Sequence, residues 1–178
     1  MPDTREAIVH DLEGLPTTPA ALLRFLAAHD IAHHTVEHPP VFTVEQAKAL
    51  RGSLPGAHIK NLFVRNRREE MWLIVALEDA GIDLKRLADH IGAGRLSFGS
   101  AERLMRALGV KPGSVTPFAL INDRDCQVRL VLDRHVLEHA PVHAHPLVNS
   151  MSTALSPQGL LRFFEVTRHP PRLIDLPV

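Results

Sequence analysis

Lys60 and Asn61 stand together inside an otherwise apolar run, HIKNLFV, at residues 58–64. A lysine buried there without a partner would cost free energy, so it either alternates outward or serves a ligand. Gly109–Pro117, GVKPGSVTP, packs two glycines and two prolines around hydroxyls. That composition suits an ordinary turn or a backbone cradle that lets a ligand approach closely. His145, Pro146, Leu147, Val148 and Asn149, with Thr153 beyond them, either line a polar pocket or end a strand.

Other combinations are weaker. Among 12 histidines, His33, His34 and His38 cluster early, and His139, His143 and His145 recur in HAPVHAH. Three imidazoles suit zinc. Here, however, no HExxH helix forms, prolines 141 and 146 interrupt the later cluster, and no acidic or thiol ligand accompanies it; no metal is expected. The single cysteine, Cys126, opens an apolar strand beside Asp125, a setting for a structural thiol rather than a thiolate nucleophile. Ser97, Ser100 and Ser114 lack a GxSxG context. Gly92–Arg95, GAGR, follows a helix instead of a strand, which is wrong for a dinucleotide fingerprint.

The chain of 178 residues, 45% apolar, is long enough for one compact domain with a real core. One cysteine excludes an internal disulfide framework and an all-thiolate zinc site. The acidic, mixed N-terminus is unlike a signal or transit peptide, and no run of about 18 apolar residues occurs, so a soluble cytoplasmic protein is expected. Formal net charge is zero. The zero is uneven: residues 1–50 carry three basic and seven acidic side chains, leaving 17 and 13 for the remainder. Lys60, Arg65, Arg67 and Arg68 form the sharpest cationic run, and on charge alone a solvated face accounts for it.

Local signals place these residues on elements. Thr18-Pro19 opens a helix through the AALLRFLAAHD stretch. Ala32–Glu37 reads as a strand, and Thr43–Gln46 as a capping box for a helix toward Leu50. His58–Asn66 and Met71–Leu77 read as strands, and Asp83–Ile91 and Ser100–Leu108 as helices ended by Gly92 and Gly109. Phe118–Ile121 and Gln127–Leu132 read as a hairpin across the Asn122–Asp125 turn. A helical turn near Asp133–Leu137, a loop or strand edge at His143–Asn149, a strand at Ser152–Leu155, a helix from Ser156-Pro157 to Phe164 and a closing strand at Arg172–Leu176 complete the order. Hairpins mixed with helices predict an α+β fold with a mixed sheet.

HIKNLFV, LSFGSAERLMRALGVKPGSVTPFALIND, LVLDRHV and HAHPLVNSMSTALS together resemble the YbaK/ProX family of aminoacyl-tRNA editing domains, over about residues 18–176. Within the family, the free-standing Ala-tRNA(Pro) deacylases are the most similar. The resemblance implies a single α+β domain over residues 1–178, its mixed, curved central sheet flanked by helices. It implies hydrolysis of alanine from mischarged tRNA(Pro), in trans to prolyl-tRNA synthetase, with no cofactor. Lys60 and Asn61 then fall on the catalytic positions. Gly113, Ser114, Val115, Thr116, Pro117, Asp133, His145, Asn149 and Thr153 fall on substrate-binding ones. Relatives specific for cysteine carry Thr after the lysine, so Asn61 tilts the chain toward alanine. A small closed pocket would admit alanine and exclude proline, and the ribose 2′-OH would orient the attacking water.

Under this resemblance the basic run becomes a candidate acceptor-stem contact through Arg65, Arg67, Arg68, Arg95 and Lys111. The partners implied are the acceptor end of mischarged tRNA(Pro) and, transiently, the synthetase. The alternatives are a deacylase of another mischarged tRNA (Cys-tRNA(Pro) or Ser-tRNA), a tRNA-binding module without catalysis, and a metal-dependent hydrolase built on HAPVHAH.

Overall fold

A computed structural model describes residues 7–52 and 54–176. Helix α1 (Pro19–Ala28) begins where Thr18 Oγ1 accepts from the Ala21 N–H, and it buries Leu22 and Leu26 one turn apart. Strand β1 (His33–Glu37) leads to α2 (Val44–Arg51), capped by Thr43 accepting from the Gln46 N–H. The reciprocal half of the capping box shifts by one residue, since Gln46 Oε1 accepts from the Phe42 N–H at 2.8 Å.

Strands β2 (Ala57–Arg65) and β3 (Met71–Leu77) form an antiparallel pair. Asn66 Oδ1 closes their turn by accepting from the backbone of Arg68 and Glu70. Helix α3 (Leu84–Ile91) starts at Asp83, whose carboxylate accepts from two backbone N–H groups, and ends on Gly92 in the left-handed region, φ 69°. Strand β4 (Ser97–Phe98) precedes α4 (Ala101–Leu108), capped by Ser100. After it come strands β5 (Val128–Asp133), β6 (Val142–Ala144) and β7 (Met151–Leu155), then α5 (Pro157–Val166) and β8 (Arg172–Ile174).

All eight strands share one mixed sheet in the order β1-β7-β6-β2-β3-β5-β8, with β4 also against β2. β2–β6, β3–β5 and β5–β8 are parallel and the other pairs antiparallel. On one face, Leu104, Leu108, Phe118, Leu160, Phe163 and Phe164 join the α1 leucines over Phe63, Leu73, Val75, Leu130 and Leu132. On the other, Leu87, Ala88 and Ile91 of α3 cover Val64, Trp72, Ile74, Ala76 and Val131. β3 alternates between the two cores, which is why its sequence is continuously apolar.

One edge of β2 explains the site. Ala57 and His58 pair with β6, Val64 and Arg65 pair with β4, and Ile59–Phe63 meet no described strand between them. The sheet parts there.

The expected Phe118–Ile121 hairpin strand is overturned. Pro117–Asn122 is a 3-10 helix started by Thr116, with its first four residues buried. A short apolar run enclosed on all sides has no period to read, and Thr-Pro at its head is a helix start as much as a turn. β5 pairs instead in parallel with β3 and β8.

Asp123 closes the turn into β5. It accepts from the N–H groups of Gln127 and Val128 and from His169 Nε2 at 2.9 Å. Burial pushes its carboxyl up, but the bonds from His169, Val128 and Gln127 outweigh it and hold the group below its ordinary value of 3.8. A carboxyl depressed by folding stabilises above its unfolded value, and that stability drains away as pH falls through the folded value. We expect Asp123→Asn to cost about 1–2 kcal/mol at neutral pH. Urea melts between pH 7 and 3 should show a flatter acid limb in the variant, and an unchanged limb would remove Asp123 from the acid response.

A candidate active site where the sheet parts

The register His58↔His143↔Ala154↔His34 puts one residue from each of β2, β6, β7 and β1 on the same face of the sheet. With Val36, His38, His145 and Ser152 they floor a cavity of about 620 Å³. Helix α2 roofs it with Ala47, Leu50 and Arg51. No residue of α2 is fully buried, so its roof position relies on polar ties. Lys48 Nζ meets Asp79 at 2.5 Å, and Arg51 holds Glu78 in a two-pronged ion pair, both side chains mostly shielded (17% and 8% exposed). The bond from Lys48 and its charge hold the Asp79 carboxyl below its usual range.

Asn61 reaches this cavity from the other face of β2, along the stretch where β2 has no neighbour. Its Oδ1 is buried and, among the described residues, without a hydrogen-bond partner. A buried carboxamide oxygen left unpaired costs free energy, so it is an acceptor waiting for a donor. Lys60, one residue earlier, shares the roofed face with His58, and its Nζ donates to the Ala80 carbonyl. Lys60 therefore borders the Asp79 tie of the roof rather than the cavity floor.

The pocket imidazoles have assigned directions. His145 Nδ1 donates to the Met151 carbonyl at 2.8 Å, leaving Nε2 as the acceptor of a neutral ring. His58 and His143 stack with centroids 4.6 Å apart and donate through Nε2 to the carbonyls of Leu54 and Pro55. Gly56 lets this loop pass: its φ is +121°, and a Cβ there would lie 2.9 Å from His143 Nε2. Burial pushes both His58 and His145 below the ordinary value of 6.5. His135 is pushed the other way by the bond to Asp133 and by that carboxylate's charge. An imidazole NMR titration should show His135 protonating above pH 6.5 and His58 and His145 below it. His145 titrating with His135 would contradict the burial argument.

The remaining sequence candidates scatter. Gly113, at φ +85°, backs Phe42 and Asn149, and Asn149 exchanges hydrogen bonds with Val41, a wall of the cavity. The loop thus braces the pocket from behind. Ser114 closes the turn to Lys111, Val115 packs on the core, and Thr116 and Pro117 are buried at the 3-10 start. Thr153 is fully buried on the opposite face from Ser152 and Ala154, bonded to Thr35 Oγ1 at 2.7 Å. Asp133, 1% exposed, caps the 3-10 turn Arg134–Glu138 and holds His135, away from the cavity lining. Neither contributes to the pocket, because strand alternation and capping point them elsewhere.

The basic candidates are partly neutralised. Arg65 and Arg103 pair with Glu69, Arg68 with Glu70, and Lys111 with Asp11. Arg67 and Arg95 are exposed. Nor is the cavity small and closed; 620 Å³ is drug-sized, far beyond one methyl group. What sequence reasoning missed is the roof, the Arg51–Glu78 pair, and the gathering of His34, His38, His58 and His143 around His145. The excess of histidines was the available signal. Among the described residues no group of three His, Cys, Asp or Glu side chains is placed to hold a metal ion. No described helix is long and apolar enough to cross a membrane.

A mixed α+β sheet that opens beside the unpartnered Asn61 Oδ1, under a helical roof, frames a preformed, partly polar cavity. The aminoacyl-tRNA editing domain profile matches residues 38–163, and the chain belongs to that YbaK/ProX family. It is 40% identical over 161 residues to the prolyl-tRNA synthetase associated domain-containing protein 1 of Bos taurus, covering 88% of this chain and 94% of that one. It is 34% identical over 147 residues to the prolyl-tRNA editing protein ProX of Acetoanaerobium sticklandii, covering 82% and 90%. The fold also matches the crystal structure of a candidate trans-editing enzyme for prolyl-tRNA synthetase, with a TM-score of 0.69 at 19% identity over 91% of this chain and 98% of that one.

Proposed function

We propose that the chain hydrolyses the ester of alanine on mischarged tRNA(Pro), acting in the cytoplasm in trans to prolyl-tRNA synthetase. The carrying observation is the buried, partnerless Asn61 Oδ1 in the cavity wall, with Lys60 next to it on the roofed side. The α-ammonium group of the aminoacyl ester is the donor that Asn61 lacks. Once Lys60 swings from the Ala80 carbonyl, its ammonium holds the terminal phosphate or the charge developing on the ester oxygen.

Water attacks the carbonyl carbon, the acyl–oxygen bond breaks, and the ribose oxygen leaves with a proton. The ribose 2′-OH orients that water. His145, neutral and presenting Nε2, faces the same cavity and accepts a hydrogen bond from the bound group. The cavity is roomy enough for the terminal nucleoside together with its aminoacyl group, and the refusal of proline is assigned to the wall that carries Asn61. A synthetase separates small side chains by only about 1–3 kcal/mol per methylene, which is the need a second site meets.

The test is a panel of labelled Ala-, Cys-, Ser- and Pro-tRNA(Pro), each incubated with the protein with and without chelator. Alanine should be released fastest, proline spared, and chelator should have no effect. Faster release of cysteine or serine would reassign the specificity, and rapid loss of proline would overturn the reading.

A further inference from the structure

A second cleft, of about 380 Å³, opens toward the other edge of the sheet from the pocket, beside the first half of β5. β8 pairs with β5 only from Val131 onward, so Val128–Leu130 have no described strand on that edge. The chain arriving from α5 passes through Pro170-Pro171, which offer no N–H to β5. Arg129, Arg168 and Arg172 wall the cleft. Arg129 lies over the Trp72 ring, 5.4 Å from its centroid, and reaches Glu70 Oε1 at 3.1 Å. Arg172 donates to the Ile91 and His90 carbonyls at the end of α3, and Arg168 donates to the Arg124 carbonyl.

A guanidinium has five N–H donors, so each of these arginines retains several. The acidic neighbours are few: Glu70 is shared with Arg68, Asp125 is exposed, and Asp123 is engaged by His169. His169, 3% exposed, lines the cleft, and its Nδ1 has no partner among the described residues. The cleft is thus built, cationic and supplied with spare donors.

We propose that this cleft seats the sugar-phosphate backbone of the acceptor stem of the substrate tRNA, apart from the pocket that takes its charged end. The proposal rests on the tRNA reading above. Glu70 links Arg129 to Arg68 in the β2–β3 turn, where Arg67 is exposed, so cations continue from the cleft to that turn. Alternation puts Arg129 on the α3 face of the sheet, the same face as His58 and Lys60. Lys60 pairs with Ala76 and Arg129 with Trp72, four residues along and two strands across. That separates their Cα atoms by about 16 Å. That distance is short against an acceptor stem, which would pass outside α3, the helix that covers the strands between the two places. An acidic peptide adding to the edge of β5 fits less well: the edge offers only three residues, and the Val128 N–H is already taken by Asp123.

The test is binding of uncharged tRNA(Pro) across a salt series, with no deacylation in the readout. Arg129→Gln/Arg168→Gln leaves Arg172 in place because it caps α3. It should raise Kd about tenfold in 0.1 M salt and reduce the slope of log K against log salt by about 2, one per phosphate contact. Arg24→Gln/Arg162→Gln, two exposed arginines on the helices α1 and α5 of the opposite face, should leave the slope unchanged. An equal slope in the cleft variant overturns the proposal, as does an equal loss in the control pair. No tRNA binding by the unaltered protein would overturn the tRNA reading itself.

Discussion

Replacing Lys60 by alanine lowers kcat/KM toward Ala-tRNA(Pro) by about 100- to 1,000-fold, the usual loss when one charge-stabilising donor is removed. The melting temperature should move by only a few degrees. The ammonium makes one hydrogen bond, to the Ala80 carbonyl. Its loss is worth about 1 kcal/mol, or about 2–4 °C in a chain of this size. The two readouts separate chemistry from architecture. A structural strut would give the reverse pattern, a large fall in melting temperature with kcat almost preserved in the folded fraction. Lys60→Arg keeps the charge but replaces a compact ammonium with a planar fork, so it should recover a small part of the rate at most. Full activity in folded Lys60→Ala would end the assignment.

Much of the fold is legible because it is written in local chemistry. Thr18, Asp83, Ser100 and Ser156 stand where the helices begin, each accepting a backbone N–H of the first turn. Gly92 and Gly109 stand where two of them end. Pairing between distant strands is not written locally. Nothing near Gln127–Asp133 says that β5 lies parallel to β3 and β8, and the preceding turn invited a hairpin that does not form. Phe118–Leu120 misled for a related reason: residues buried on every side lose the period that identifies an element.

The site divides the same way. The Lys60-Asn61 pair was conspicuous as a polar interruption of an apolar strand, and Asn61 is in the cavity wall because β2 lacks a neighbour there. Thr153 falls on a substrate-binding position under the resemblance, yet Ser152 and Ala154, on either side of it, face the pocket. A one-residue step in a strand reverses the face. The roof was invisible because α2 owes its place to charges from Glu78 and Asp79, about thirty residues away.

That dependence yields the second large effect. Arg51→Met should release α2, and with it the roof, while the rest of the fold stands. The substitution leaves Glu78 mostly shielded and without its cation, a situation that costs about 3 kcal/mol when one partner of a buried pair is removed. Because no residue of α2 is fully buried, the cost falls on a local opening rather than on global unfolding. Amide hydrogens of Ala47–Arg51 should exchange about 100-fold faster, and KM for the charged tRNA should rise while the global melt moves little. Glu78→Leu in the same chain removes the stranded carboxylate together with its partner. The double variant should therefore recover much of the protection lost by Arg51→Met alone, though the specific ion pair is gone from both. If the double variant exchanges as fast as the single one, the pair's own attraction holds the roof. If neither changes exchange, the apolar contacts of Ala47 and Leu50 suffice and the ion pair is incidental.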